Sequence, residues 1–196
     1  MLTSNRALIL LALATALLGG CASIPKSACQ SGDWYDIGMR DGTNGRPEDR
    51  FLDHAQACAK HGLPADREQW LVGRAHGLEQ YCTTRSGLDV GASNGRYAGV
   101  CPVAQEQDFL RGYDVGRDLS QARGRLAALD NEMRRIRVLL APPEKDKQGK
   151  DDKSQHEKTL TDDERIALAV QLGVHIVERQ QLVRDLDQIE QVARQL

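Results

Sequence analysis

Residues 33–42 read DWYDIGMRDG, and two patterns compete in them. Tyr35, Ile37 and Met39 alternate as in a strand, whereas Gly38 and Gly42 stand four apart, as on one face of a helix. The helix reading gains support from recurrence. Tyr35-x-x-Gly38-x-x-x-Gly42 matches Trp70-x-x-Gly73-x-x-x-Gly77 and Phe109-x-x-Gly112-x-x-x-Gly116, with a weaker copy at Leu88-x-x-Gly91-x-x-x-Gly95. Positions i, i+3 and i+7 share a helix face, so each copy sets a large side chain beside two bare backbone patches. A glycine inside a helix costs about 1 kcal/mol relative to alanine. Close approach of a second helix, with the aromatic filling the end of the groove, is the return expected for that cost. The plainer alternative makes Gly42 and Gly77 ordinary C-caps. The charge around these glycines excludes a membrane helix dimer.

The N-terminus reads as a separate element. Arg6 is followed by an apolar run from Ala7 to Leu18, roughly a dozen residues and short of the ~20 that span a bilayer. Leu18-Gly19-Gly20-Cys21 then has the form of a bacterial lipobox, with Cys21 as the acylated thiol. A lipoprotein signal peptide over 1–20 and a lipidated tether over 21–32 are the expectation. Ala22, where an aspartate would favour inner-membrane retention, points to the outer membrane with the chain facing the periplasm. No nucleic-acid partner is expected at a net charge of -2.

The chain has 5 cysteines. Setting Cys21 aside leaves Cys29, Cys58, Cys82 and Cys101, an even set that reads as two disulfides in an oxidising compartment. A helix-length argument prefers Cys29–Cys58 with Cys82–Cys101, and ranks Cys29–Cys82 with Cys58–Cys101 second. It takes the first two helices as an antiparallel pair turning near Gly45, which sets Cys58 level with Cys29.

Punctuation along the chain supports a mainly α fold. Residues 33–107 form a small stapled helical domain. One helix runs from Asp33 to Gly42, another from Pro47 to Gly62, and a third from a cap at Asp66 to Tyr81. The stretch after Cys82 is loop-rich. Residues 108–196 form a long antiparallel, coiled-coil-like helical hairpin. Its first helix carries a seam of Leu119, Ala122, Leu126, Leu129, Met133, Ile136 and Leu140. Its second starts at a Thr161–Glu164 capping box and carries Leu168, Leu172, Leu182, Leu186, Ile189, Ala193 and Leu196, interrupted by His175 and Arg179. A mixed-charge linker over 142–160 occupies the tip.

The segments DWYDIGMRDG, HAQACAKHG, LVGRAHGLEQYC and GVCP, followed by an aromatic-glycine helix, resemble an uncharacterised family of proteobacterial lipoproteins, known as a domain of unknown function. The resemblance covers roughly Cys29 to Leu119. It implies an envelope lipoprotein and no particular chemistry.

Other candidate sites have plainer readings. His54, Cys58 and His61 have helical ligand spacing, yet a metal site would need a reduced Cys58. Asp33, Asp36 and Asp41 invite an acid–base reading, but the first two suit a helix N-terminus. Arg74, Arg96 and Arg111 lie near glycines and aromatics, as a small anionic or glycan ligand would require. No G-x-S-x-G or phosphate loop occurs. No metal or cofactor is therefore expected. The expected function is that of a non-enzymatic interaction or structural module. It would be anchored through Cys21 and meet an envelope protein or its own copy through the hairpin. A cell-wall glycan or small-ligand binding module using Trp34, Trp70 and the arginines is the rival, and a cryptic hydrolase the third reading.

Overall fold

The computed structural model describes residues 23–142 and 160–196. Residues 1–22, which hold the expected signal peptide and Cys21, and residues 143–159 of the expected linker lie outside the described residues. Among those described, the fold is helical throughout: α1 (Lys26–Ser31), α2 (Trp34–Thr43), α3 (Arg50–Ala59), α4 (Arg67–Tyr81), α5 (Thr84–Ala92), α6 (Val103–Leu140) and α7 (Asp162–Ala193). They form two compact units. One takes in the chain as far as Cys82 together with Tyr97–Pro102; the other comprises Thr83–Arg96 and Val103–Leu196. The boundary expected at 107/108 thus falls inside α6, because the Gly112 and Gly116 face of that helix is occupied by α5.

In the first unit Asp33 and Asp66 cap α2 and α4 through their side chains, accepting from the backbone N–H groups of Asp36 and Gln69. Helices α2 and α4 pack through their glycines. A Cβ on Gly38 would overlap the Trp70 carbonyl and lie 3.0 Å from Arg74 N; one on Gly42 would overlap the Arg74 carbonyl. Reciprocally, Gly73 faces the Tyr35 carbonyl and Gly77 the Met39 carbonyl. Residue numbers rise together on both sides, so the two helices run parallel. Backbones this close permit Cα–H···O contacts that any side chain would forbid.

The partner of α2 is therefore α4, where adjacency in sequence suggested an antiparallel pairing with the next helix. A glycine face gains most from a second glycine face, and α3 has none. Helix α3 instead returns the chain and drives Phe51, Ala57 and Cys58 into the core beside Trp34, Ile37 and Trp70. The Phe51 ring stands between the two tryptophans, with centroids 5.9 Å from Trp34 and 5.5 Å from Trp70. Burying an aromatic of this size contributes about 3 kcal/mol. The disulfides are Cys29–Cys58 and Cys82–Cys101. The first links α1 to α3, so the preferred pairing holds although its supporting helix arrangement does not.

The stretch 21–32, expected as a tether, is folded from Ser23 onward. Ile24 joins the core, and α1 carries the buried Cys29.

The second unit repeats the glycine device. Gly87 and Gly91 of α5 face the carbonyls of Phe109 and Tyr113, while Gly112 and Gly116 of α6 face those of Thr84 and Leu88, again in parallel. The fourth copy is thus Thr84-x-x-Gly87-x-x-x-Gly91, one turn before the expected Leu88–Gly91–Gly95. Gly95 lies beyond the end of α5 and approaches only Val90 of its own turn. A search led by a large side chain misses a copy that begins with threonine.

Beyond this pair, α6 continues into the hairpin with α7. The pairs Asp130–Arg179 and Arg123–Glu190, at 2.7 and 2.9 Å, fix an antiparallel arrangement. Arg179, which breaks the apolar seam, is accommodated by its ion pair with Asp130. Leu129, Met133 and Ile136 are buried on α6. Helix α7 begins with the full capping box between Thr161 and Glu164, yet has no buried residue.

Candidate functional site

The polar centre of the first unit is built on Asp41. Its position on α2, three residues after Gly38, brings it to the α4 interface. Trp70 Nε1 donates to Asp41 Oδ2 at 2.9 Å, and His54 Nε2 lies 2.8 Å from the same oxygen. An ionised carboxylate only accepts, so His54 carries its proton on Nε2. Its Nδ1 is 2.7 Å from Ser23 Oγ. Burial alone would raise the pKa of Asp41. The hydrogen bonds from His54 and Trp70, with the charges of His54 and Arg50, outweigh it and hold the carboxyl below its ordinary 3.8.

Ser23, His54 and Asp41 thus stand in the order of a nucleophile, base and orienting acid. The surroundings do not match that task. His54 is 2% exposed and Trp70 wholly buried, and Asp41 spends the same oxygen on both. The shallow clefts beside α3 are lined by Glu48, Asp49, Phe51, Leu52 and Arg67, and by Arg46, Pro47, Asp49, Arg50, Leu52 and Asp53. Neither reaches Ser23, His54 or Asp41. The arrangement satisfies buried polar groups and ties Ser23 to α2, α3 and α4.

The other expected residues fall as follows. Cys58 is in a disulfide, so it cannot serve as a thiolate with His54 and His61; no metal-ligating cluster occurs among the described residues. Asp33 is a cap. Trp34 and Trp70 are core residues, which removes both indole faces from any sugar. Arg74 donates from Nε and Nη2 to the Arg46 carbonyl and lies over the Trp70 ring. Arg111 pairs with Asp108, and Arg96 is exposed. Tyr35 donates to or accepts from His76 Nδ1 at 2.7 Å, at the outer edge of the glycine contact. Ser23 has no spacing signal in the sequence. The available cue was His54 itself, which shares a helical stripe with Phe51, Ala57 and Cys58 and so required a buried partner.

In the second unit an exposed apolar stripe runs along α7. Ile166, Val170, Val174 and Val177 are 63%, 63%, 59% and 65% exposed, at helical spacings that put them on one side. That side is opposite the Leu172, Leu182 and Leu186 side, which is the more buried.

Residues 33–118 match the model of a family described as Protein of unknown function (DUF2799). The match takes in both glycine-packed helix pairs and ends before the hairpin seam. No curated protein and no solved structure matches the chain.

Proposed function

We propose that this chain is a lipoprotein of the outer membrane, anchored through Cys21 and facing the periplasm. It acts as an interaction module without catalysing a reaction, and the α6–α7 hairpin is the surface that meets its partner. The observation that carries this reading is the α7 stripe. Four β-branched side chains lie in water on one side of a helix whose other side already pairs with α6, and contiguous exposed apolar surface of this kind marks association sites. The partner is another envelope protein or a second copy of the chain. Crosslinking in intact cells, followed by mass spectrometry, tests it. Val170→Glu combined with Val177→Glu abolishes the crosslinked species while the disulfides remain intact; an unchanged crosslinking pattern overturns the assignment. Cys21→Ser abolishes lipid labelling and membrane association, and persistence of either overturns the anchor.

The Ser23–His54–Asp41 chain has the order of groups of a cryptic hydrolase, while its burial away from both clefts weighs against that reading. Covalent capture of Ser23 by a fluorophosphonate probe would establish it, and lack of capture at saturating probe removes it.

A further inference from the structure

The start of the fold bears on how an acylated chain would meet its membrane. Ser23 is not the beginning of a free arm. Its hydroxyl bonds His54 at 2.7 Å, and its carbonyl lies 3.5 Å from Arg50 Nη2. Ile24 next to it is 9% exposed and belongs to the core. Cys29, five residues on from Ile24, is bonded to Cys58. Only Ala22 separates Cys21 from this packed segment.

Two residues reach about 7 Å even when fully extended. The headgroup layer on one side of a bilayer is about 5–8 Å deep. The reach of the chain and the depth of that layer are therefore equal within error. Resting on the lipoprotein reading above, we infer that the first unit is seated directly on the bilayer at its Ser23 edge, in contact with lipid headgroups and with no spacer. That edge carries Lys26 and Arg50. The Arg50 guanidinium gives one nitrogen to Asp53 at 3.0 Å, while its buried Nε has no partner. Cations here suit the phosphate groups they would meet. Seating of this kind fixes the tilt as well as the height of the unit, because Ser23 is held by His54 and Arg50 and the next residue, Ile24, is packed into the core.

The experiment uses the full-length protein in its own membranes. A benzophenone side chain is placed at Ser27, which is exposed on α1. Acylation of Cys21 is read in the same sample by labelled palmitate. A second form carries twelve glycine and serine residues inserted between Ala22 and Ser23, which adds about 19 Å of root-mean-square reach. Retention of the Cys29–Cys58 bridge reports that both forms are folded. The expected result is phospholipid adducts at Ser27 in the unmodified chain, falling at least five-fold with the spacer. Acylated protein with no lipid adducts at Ser27, or with a yield unchanged by the spacer, overturns the seating and leaves the anchor standing. Absence of palmitate on Cys21 overturns the anchor itself and the seating with it.

Discussion

Trp70 Nε1 and Asp41 Oδ2, 2.9 Å apart, form a polar contact within the seam where the glycines of α2 and α4 meet backbone to backbone, and Tyr35 and His76 add a second at its exposed edge. A glycine face is smooth and carries little information about register. The hydrogen bond supplies some, because sliding α4 by one turn would strand both the indole N–H and a carboxylate already bound to His54.

Asp41→Asn is expected to destabilise the first unit by about 2–3 kcal/mol, since it weakens two buried hydrogen bonds and removes the charge that fixes the His54 tautomer. The pH dependence carries a sign. A carboxyl with a lowered pKa binds fewer protons in the folded chain than in the unfolded one. Its contribution is full above 3.8 and is lost as pH falls through the lowered folded value. Acid unfolding followed by near-ultraviolet circular dichroism should be less steep below pH 3.8 in Asp41→Asn. Identical acid profiles would remove Asp41 from the account.

Gly38→Ala and Gly73→Ala each place a methyl into a facing carbonyl, and backbone cannot step aside as a side chain can. A loss of about 3 kcal/mol or failure to fold is expected. Gly173→Ala is the internal control. Its Cβ meets open space on α7, so the substitution should stabilise by about 0.5–1 kcal/mol through helix propensity alone. Urea unfolding separates the outcomes: three variants with equal midpoints would refute the close approach.

Non-reducing peptide mapping should yield Cys29 joined to Cys58 and Cys82 joined to Cys101. Removing the first bridge as Cys29→Ser with Cys58→Ser should cost about 3 kcal/mol. A peptide joining Cys58 to Cys101 would contradict the fold.

Ile136, 1% exposed on α6, and Leu186 on α7 offer a graded test of the hairpin. Ile136→Asp should unfold the α6–α7 pair, since an unpaired charge would be buried in an apolar seam. Leu186→Asp should weaken it by a smaller margin, because that side chain is only half-buried. Far-ultraviolet helicity on heating reads both, and the Cys29–Cys58 bridge should survive in each. Equal losses would mean that α7 is packed more tightly than its exposure indicates.

Much of this was legible in residue order. The three aromatic-led glycine copies, the caps at Asp33, Asp66 and Thr161, and the heptad seam are local signals. Each is read from spacings of three, four and seven. Partner choice was not legible, because every glycine helix presents the same kind of face to every other. Adjacency then pointed α2 at α3, whereas a second glycine face on α4 decides the matter. The Thr84 copy was hidden by its small leading side chain. Ser23 was hidden by distance, since it lies 31 residues from the histidine it meets.

That uniformity among glycine faces also bears on how the chain avoids confusing its own parts. Helices α2, α4, α5 and α6 display near-identical docking grooves, and closeness of fit alone cannot tell a rightful neighbour from a lookalike. Identity is conferred by wiring. The chain between α2 and α4 contains Cys58, and that between α5 and α6 contains Cys101; each cysteine is bridged to one that precedes its pair. Each bridge loops the chain past the first helix of its pair and so shortens the path from the start of that helix to the start of its partner. Reduced protein at high concentration has lost that shortcut, and exchange of helices between molecules becomes its natural error.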